Sequence, residues 1–261
     1  MTDHHQRNIA RLAERIQQQP EYLALIVGGS VAKGLARDDS DIDVLLIATD
    51  EEFDRRQERK DYTVLLLDHC DYEGGYVDGK VVNRAFLDAV AERGSEPARS
   101  AFEGAFVAWS RGLDLMPLIE RIRAYPEAER APKMAAFAAQ LLALRWYVGE
   151  AEKRNDLYLM THVATEMTLF AGRLVLAHNR MLFPYHKWFW TYLERAEEKP
   201  EGFMKLARNL LACPSQARAA ALFDATINWQ DWGVDPERWG AMFMEQREWN
   251  WMEGRPPLED W

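Results

Sequence analysis

The stretch Leu25-Ile26-Val27-Gly28-Gly29-Ser30, followed about a dozen residues on by Ser40-Asp41-Ile42-Asp43-Val44-Leu45-Leu46-Ile47, constrains this chain more than any other. An apolar run that stops at two glycines reads as a strand ending in a tight turn, and Asp41 to Ile47 reads as a second strand with charge only at its start. Strand side chains alternate between faces. Asp41 and Asp43 therefore point the same way, with Cα atoms roughly 6.5 Å apart, while Ile42 and Val44 face the other side. Two carboxylates held that close repel, and a divalent cation bridging them relieves the repulsion; Mg²⁺ favours such oxygen ligands when substrate phosphates complete its shell. Gly28 and Gly29 clear side chains so that backbone N–H groups can approach an anion, Ser30 adds a hydroxyl, and Val31 to Leu35 opens a helix whose N-terminus favours phosphate. Lys33 and Arg37 place positive charge nearby. The plain alternative is an ordinary β-turn-β with a Gly-rich loop and two solvated aspartates.

In Gly29-Ser30 and Asp41-Ile42-Asp43, with Ser40 before the pair, the chain resembles the nucleotidyltransferase superfamily, the minimal fold shared with DNA polymerase beta. The resemblance implies Mg²⁺ on Asp41 and Asp43 and a nucleoside triphosphate, ATP first, on Gly29, Ser30 and Lys33. It also implies a third carboxylate from a later strand, expected within Val81-Val82-Asn83-Arg84-Ala85-Phe86-Leu87. The sequence offers Asn83 there. Asn supplies a neutral oxygen and cannot act as a base, so either Asp68, Asp71, Glu73 or Asp78 takes the place or activity is weakened.

The totals narrow the function classes. The 261 residues suit one large domain or two small ones, and 48% hydrophobic with 28% charged is an ordinary soluble composition. A net charge of −10 argues against extended nucleic acid as the main partner and suits a small or cationic one. Cys70 and Cys213 read as reduced thiols, no leader pattern opens the chain, and no apolar run reaches a membrane-spanning length, so a cytoplasmic protein is expected.

Along the chain, Ile9, Leu12, Ala13 and Ile16 make a helical stripe over residues 3–19, with His4 and His5 read as solvated. Asp50 to Lys60 reads as an exposed helix, Tyr62 to Asp68 as a third strand, Asp71 to Lys80 as a turn, Val81 to Leu87 as a fourth strand and Ala98 to Trp109 as a helix. Pro126 and Pro132 mark a boundary near residue 128. Beyond it the period is helical throughout. Met134, Phe137, Leu141, Leu142 and Val148 form one stripe, and Leu159, Val163, Glu166, Phe170 and Leu174 form a second, which predicts an antiparallel helix pair.

Glu166 is an acid on an apolar stripe, with His162 and Arg173 as partners on the same helix face. Resemblance to the antibiotic-modifying branch of the superfamily makes it a candidate general base for an acceptor hydroxyl. The junction His178 to Trp188 is similar to one in the helical domain of small bacterial nucleotidyltransferases. There Lys187, at a helix start, can reach phosphate oxygens, and Tyr185 or Trp188 offers a flat face to a base. Six of the ten tryptophans fall from Trp229 to Trp261, read as helix packing, a homodimer interface or a wall for a sugar-like acceptor.

The resulting expectation is an α+β protein: a mixed-sheet nucleotidyltransferase domain over 1–128 and an all-α bundle over 129–261, with the site between them. The expected reaction moves a nucleoside monophosphate from an NTP to a small acceptor such as an aminoglycoside, with no membrane partner. The other class is a catalytically impaired nucleotide-binding or antitoxin-like protein-partner module.

Overall fold

The structure, a computed structural model, describes residues 1–235 and 237–254. It divides into two compact units, Met1–Ala124 and the chain from Tyr125 on, a few residues before the expected 128. The first is a five-stranded mixed sheet with helices and the second is helical, an α+β protein.

In the first unit α1 (Asp3–Gln17) leads into β1 (Tyr22–Val27), the short α2 (Gly29–Ala32), β2 (Ile42–Ala48), α3 (Asp50–Arg59), β3 (Thr63–Leu66) and β4 (Val77–Val82). Then follow α4 (Arg84–Arg93), α5 (Glu96–Ser100), β5 (Phe106–Ser110) and α6 (Met116–Arg123). The strand order is β3-β4-β2-β1-β5. Only the β2–β4 pair is parallel, made possible by the long excursion through α3 and β3; the other pairs are antiparallel.

Alternation along the central strands gives the sheet two apolar faces. Leu25, Val27, Ile42, Val44 and Leu46 meet Ile9, Leu12 and Ile16 of α1 on one side. Ile26, Ile47 and Val82 meet Leu87, Leu118 and Ile122 on the other. Each such aliphatic side chain stabilises the fold by on the order of 2 kcal/mol on burial.

Two expected elements are replaced. The fourth strand is Val77–Val82 rather than 81–87, because Asp78-Gly79-Lys80 lies in the ladder instead of turning. Gly79 is there for proximity: a Cβ on it would overlap Val44. The segment 98–109 splits into the end of α5 and the strand β5, divided by Gly104 at φ +73, with Phe106 and Val107 pairing onto β1.

In the second unit α7 (Glu127–Arg154) and α8 (Leu157–His178) form the expected helix pair, joined through Asn155 at φ +50 and capped by Asp156, which accepts from Leu159 N at 3.0 Å. Leu141, Leu144 and Val148 face Val163, Met167 and Leu174, and α9 (Phe189–Arg195), α10 (Phe203–Ala212) and α11 (Gln216–Ile227) complete the core. The sequence from Pro236 to Met252 reads as one helix, but the described residues there form a set of short turns: α12 (Trp239–Phe243), a π-helical turn Met244–Glu248 and a 3-10 turn Asn250–Met252, with Pro236 itself outside the described residues.

The tryptophans divide accordingly. Trp232 is buried, its Nε1 donating to Thr226 O at 3.0 Å, and Trp229 packs beside it, whereas Trp249 and Trp251 are exposed. Trp261 lies outside the described residues. Among the described residues no helix is long and apolar enough to cross a membrane.

Asn83 is buried as the N-cap of α4, its Oδ1 accepting from Phe86 N at 2.9 Å and its Nδ2 donating to Asp50 Oδ1 at 2.9 Å. It is a structural cap, not a stand-in for a metal ligand. Asn83→Ala is expected to lower unfolding free energy by about 1 kcal/mol, read from the denaturant midpoint, and to leave divalent-cation affinity unchanged.

Candidate active site

β2 delivers the acids. Its core residues Ile42 and Val44 turn inward and leave Asp41 and Asp43 on the opposite face. In the parallel register Asp43 stands beside Asp78 of β4, so a third carboxylate arrives laterally on the same face. Asp41, Asp43 and Asp78 each offer an oxygen, and these atoms lie within 4.8 Å of one another. Of the four acids considered for the third place, the fold brings Asp78. Asp71 is taken up with Asn8, Arg7 and Arg11, Asp68 faces a hollow against α1, and Glu73 is an exposed turn residue.

The glycine turn closes over this group. Gly28 N donates to Asp43 O at 2.9 Å, and Gly29 adopts φ +60 with its Cα so near that a Cβ would overlap the Asp43 carboxylate. Glycine is required there twice, for the left-handed backbone and for the approach. Ser30 is buried in α2 behind the turn. Behind it the segment after α5 acts as a buttress: a Cβ on Gly104 would strike Ala32 O, and Lys33 Nζ donates to Ser100 Oγ at 3.2 Å and pairs with Glu103 at 3.4 Å. The Lys33 side chain is 8% exposed, so its amine braces the turn from behind.

Tyr76 stands over the acids. The nearby Asp41 charge is the main influence raising the Tyr76 pKa, with Asp78 and Asp43 adding to the effect. Its carbonyl accepts from Ile42 N at 2.9 Å.

Of the two histidines read as solvated, His4 is partly exposed and His5 is not. His5 is fully buried; its Nε2 donates to Ser40 O at 3.1 Å, and its Nδ1 accepts from Thr2 Oγ1 at 2.7 Å, a pattern that defines the neutral ring. His4 Nε2 donates to Asp38 O at 3.0 Å. The available signal was position: His5 precedes Ile9, and Asn8 precedes Leu12, by one helical turn, so both extend the buried stripe of α1.

In the second unit Glu166 is half-buried on α8, and its carboxylate meets Arg247 at 2.7 Å rather than the expected His162, which is exposed beside Tyr158. Arg173 lies 4.5 Å from both the Phe137 and Phe183 rings. Glu166 and Arg247 line a cavity of about 270 Å³ with Gln140, Tyr147, His162 and Phe243. Lys187 is exposed over the Trp188 ring at 5.6 Å, and Tyr185 is exposed with φ +67 and ψ 177, a region that side chains other than glycine rarely adopt.

Comparisons with known proteins bear on the same stretch of the chain. Residues 9–75 match the nucleotidyltransferase domain family, so the chain carries a nucleotidyltransferase domain. Residues 102–189 match a domain of unknown function, DUF4037. Solved structures with a similar course include a nucleotidyltransferase-like protein from Exiguobacterium sibiricum 255-15, 14% identical over 97% of this chain and 82% of that one, with a TM-score of 0.49. No curated protein matches the chain.

Gly29→Ala is expected to destabilise the first unit by about 1–3 kcal/mol through the positive φ alone, and further by displacing Asp43; the denaturant midpoint checks it. Burial holds the His5 pKa below its ordinary 6.5, with His4 and the N-terminus pushing the same way and the Ser40 bond and Asp38 opposing. The unfolded chain therefore binds this proton first. Its contribution to stability is expected to be complete above pH 6.5 and to fall as the pH drops from there through the lower folded value, a loss absent in His5→Gln.

Proposed function

We propose that this protein moves a nucleoside monophosphate from a nucleoside triphosphate, ATP first, to the hydroxyl of a small acceptor. The single observation that carries the reading is the meeting of Asp41, Asp43 and Asp78 on one strand face beneath Gly28-Gly29-Ser30. Three carboxylates within 4.8 Å repel strongly unless a cation sits among them, and an all-oxygen, all-acid set suits a hard divalent ion. The residues fit Mg²⁺. A bound Mg²⁺ would supply charge neutralisation at the triphosphate; the acceptor hydroxyl gives its proton to a base, its oxygen attacks the α-phosphorus, and pyrophosphate leaves.

The chain's own groups do the rest. Asp41, Asp43 and Asp78 hold the ion and so fix the triphosphate's register. The Gly28-Gly29 backbone and Ser30 receive the phosphate chain, and Lys33 keeps that turn against the α5 end through Ser100 and Glu103. Lys187, exposed at the start of its turn, is the proposed second phosphate contact. Glu166 is the proposed base for the acceptor hydroxyl; because Arg247 already meets its carboxylate, the role requires the acceptor to displace or share that cation. The net charge of −10 supports a cationic acceptor such as an aminoglycoside. The impaired-module reading rested on Asn83, and the capping role of Asn83 removes that support.

Isothermal titration with ATP, GTP, CTP and UTP, with and without Mg²⁺, tests this. One nucleotide is expected to bind in a metal-dependent way, with binding weakened at least about tenfold in Asp43→Asn and in Asp78→Asn. Equal binding by wild type and both variants overturns the proposal.

A further inference from the structure

Of the three acids, Asp43 and Asp78 sit within strands, and the ladder fixes their backbones. Asp41 does not. It precedes β2, at the end of the loop 38–41, so something outside the sheet must set its direction. The Ser40 carbonyl belongs to the same planar peptide unit as the Asp41 nitrogen, so holding that oxygen orients the plane from which the Asp41 side chain springs.

Two donors hold it. Tyr72 hydroxyl donates to Ser40 O at 2.7 Å and the buried His5 Nε2 at 3.1 Å, filling both lone pairs of one carbonyl from opposite parts of the chain. The donors are themselves fixed. The Tyr72 ring lies 4.3 Å from the His4 ring and 5.2 Å edge-on from His5, and His4 secures the neighbouring Asp38 carbonyl. Gly75 leaves room for the Tyr72 ring, which a Cβ there would overlap. Downstream, Ile42 N donates to Tyr76 O at 2.9 Å, so Asp41 is pinned on both sides of its Cα. His4 and His5 also precede residues 9–75, the part that matches the nucleotidyltransferase domain.

We infer that His5 and Tyr72 are positioning residues that act through the Ser40 carbonyl to hold Asp41 in the acid trio, so that the first turn of α1 controls the site's affinity for a divalent cation. The inference rests on the reading above that the trio takes such a cation. Removing either donor leaves the Ser40 carbonyl held by a single hydrogen bond, so the Ser40–Asp41 peptide rotates more easily. The remaining carboxylates still bind, but more weakly.

The experiment is Mn²⁺ binding to the full chain above pH 7, by titration calorimetry and by the loss of the free-ion electron paramagnetic resonance signal, without nucleotide. Wild type, Tyr72→Phe, His5→Phe, His5→Gln and Asn83→Ala are compared, each with its thermal unfolding curve. Tyr72→Phe and His5→Phe are each expected to weaken Mn²⁺ about tenfold, as loss of groups that orient metal ligands does. His5→Gln, whose amide nitrogen can donate from nearly the same place as Nε2, is expected to keep wild-type affinity, and Asn83→Ala to lose stability without losing Mn²⁺. Unchanged Mn²⁺ affinity in Tyr72→Phe and His5→Phe overturns the inference and leaves the cation reading intact. Equal weakening in His5→Gln and His5→Phe also overturns it, since the hydrogen bond would then be irrelevant. Failure of wild type to bind Mn²⁺ overturns the cation reading itself. Should His5→Phe not fold, Tyr72→Phe alone decides, because it removes one hydroxyl from a partly exposed ring.

Discussion

Mutual repulsion among Asp41, Asp43 and Asp78 is the constraint that the first unit is built to withstand. Like charges this close push a flexible backbone apart, so the elements bearing them must be held by something stiffer than the acids' own surroundings. The central strand pair provides this for two of them, since β2 and β4 are bonded along Ile42 to Ile47 and carry apolar residues on both faces. The Gly28-Gly29 turn then comes down on Asp43 so closely that no side chain fits between. The turn stays down because the chain after α5 wedges against it, with the Lys33–Glu103 pair as the link.

The polar start of α1 is the other half of that stiffness. Its apolar positions face the sheet, and the same helical face, carried one turn further, changes from Ile and Leu to Asn8 and His5. That change marks where the helix stops covering a core and starts holding loops. Asn8 binds Asp71 and its carbonyl takes His69 Nε2 at 2.9 Å, while His5 and His4 take the carbonyls of Ser40 and Asp38. Both loops that frame the acids thus end on one helix.

What was legible in the sequence followed from short-range rules. Alternation placed Asp41 and Asp43 on one face, the Gly-Ser turn stood where a strand ended, and the helical period beyond residue 130 announced the α7–α8 pair. The errors share a cause. Gly79 looked like a turn residue because its other use, close approach to Val44, depends on a partner strand far away in the chain. With that strand misplaced, Asn83 fell where an acid was wanted and Asp78 appeared to lie in a loop. The histidines were missed because a buried polar side chain is recognisable only through its partner, and the Ser40 carbonyl is 35 residues from His5. Likewise nothing local links Glu166 to Arg247.

The parallel register of β2 on β4 has a kinetic side. Antiparallel hairpins such as β3–β4 can zip from a turn, but Asp43 meets Asp78 only after the chain has passed through α3 and returned along β3, a non-local closure that costs more loop-closure entropy. Before that closure Asp78 is far from Asp41 and Asp43, and the collapsing chain is free of its repulsion with them. After it, the repulsion becomes a force favouring reopening. Any ligand that neutralises the trio recognises only the closed pairing and so favours it by mass action. The lifetime of the folded first unit is therefore a property of its ionic surroundings as well as of its sequence.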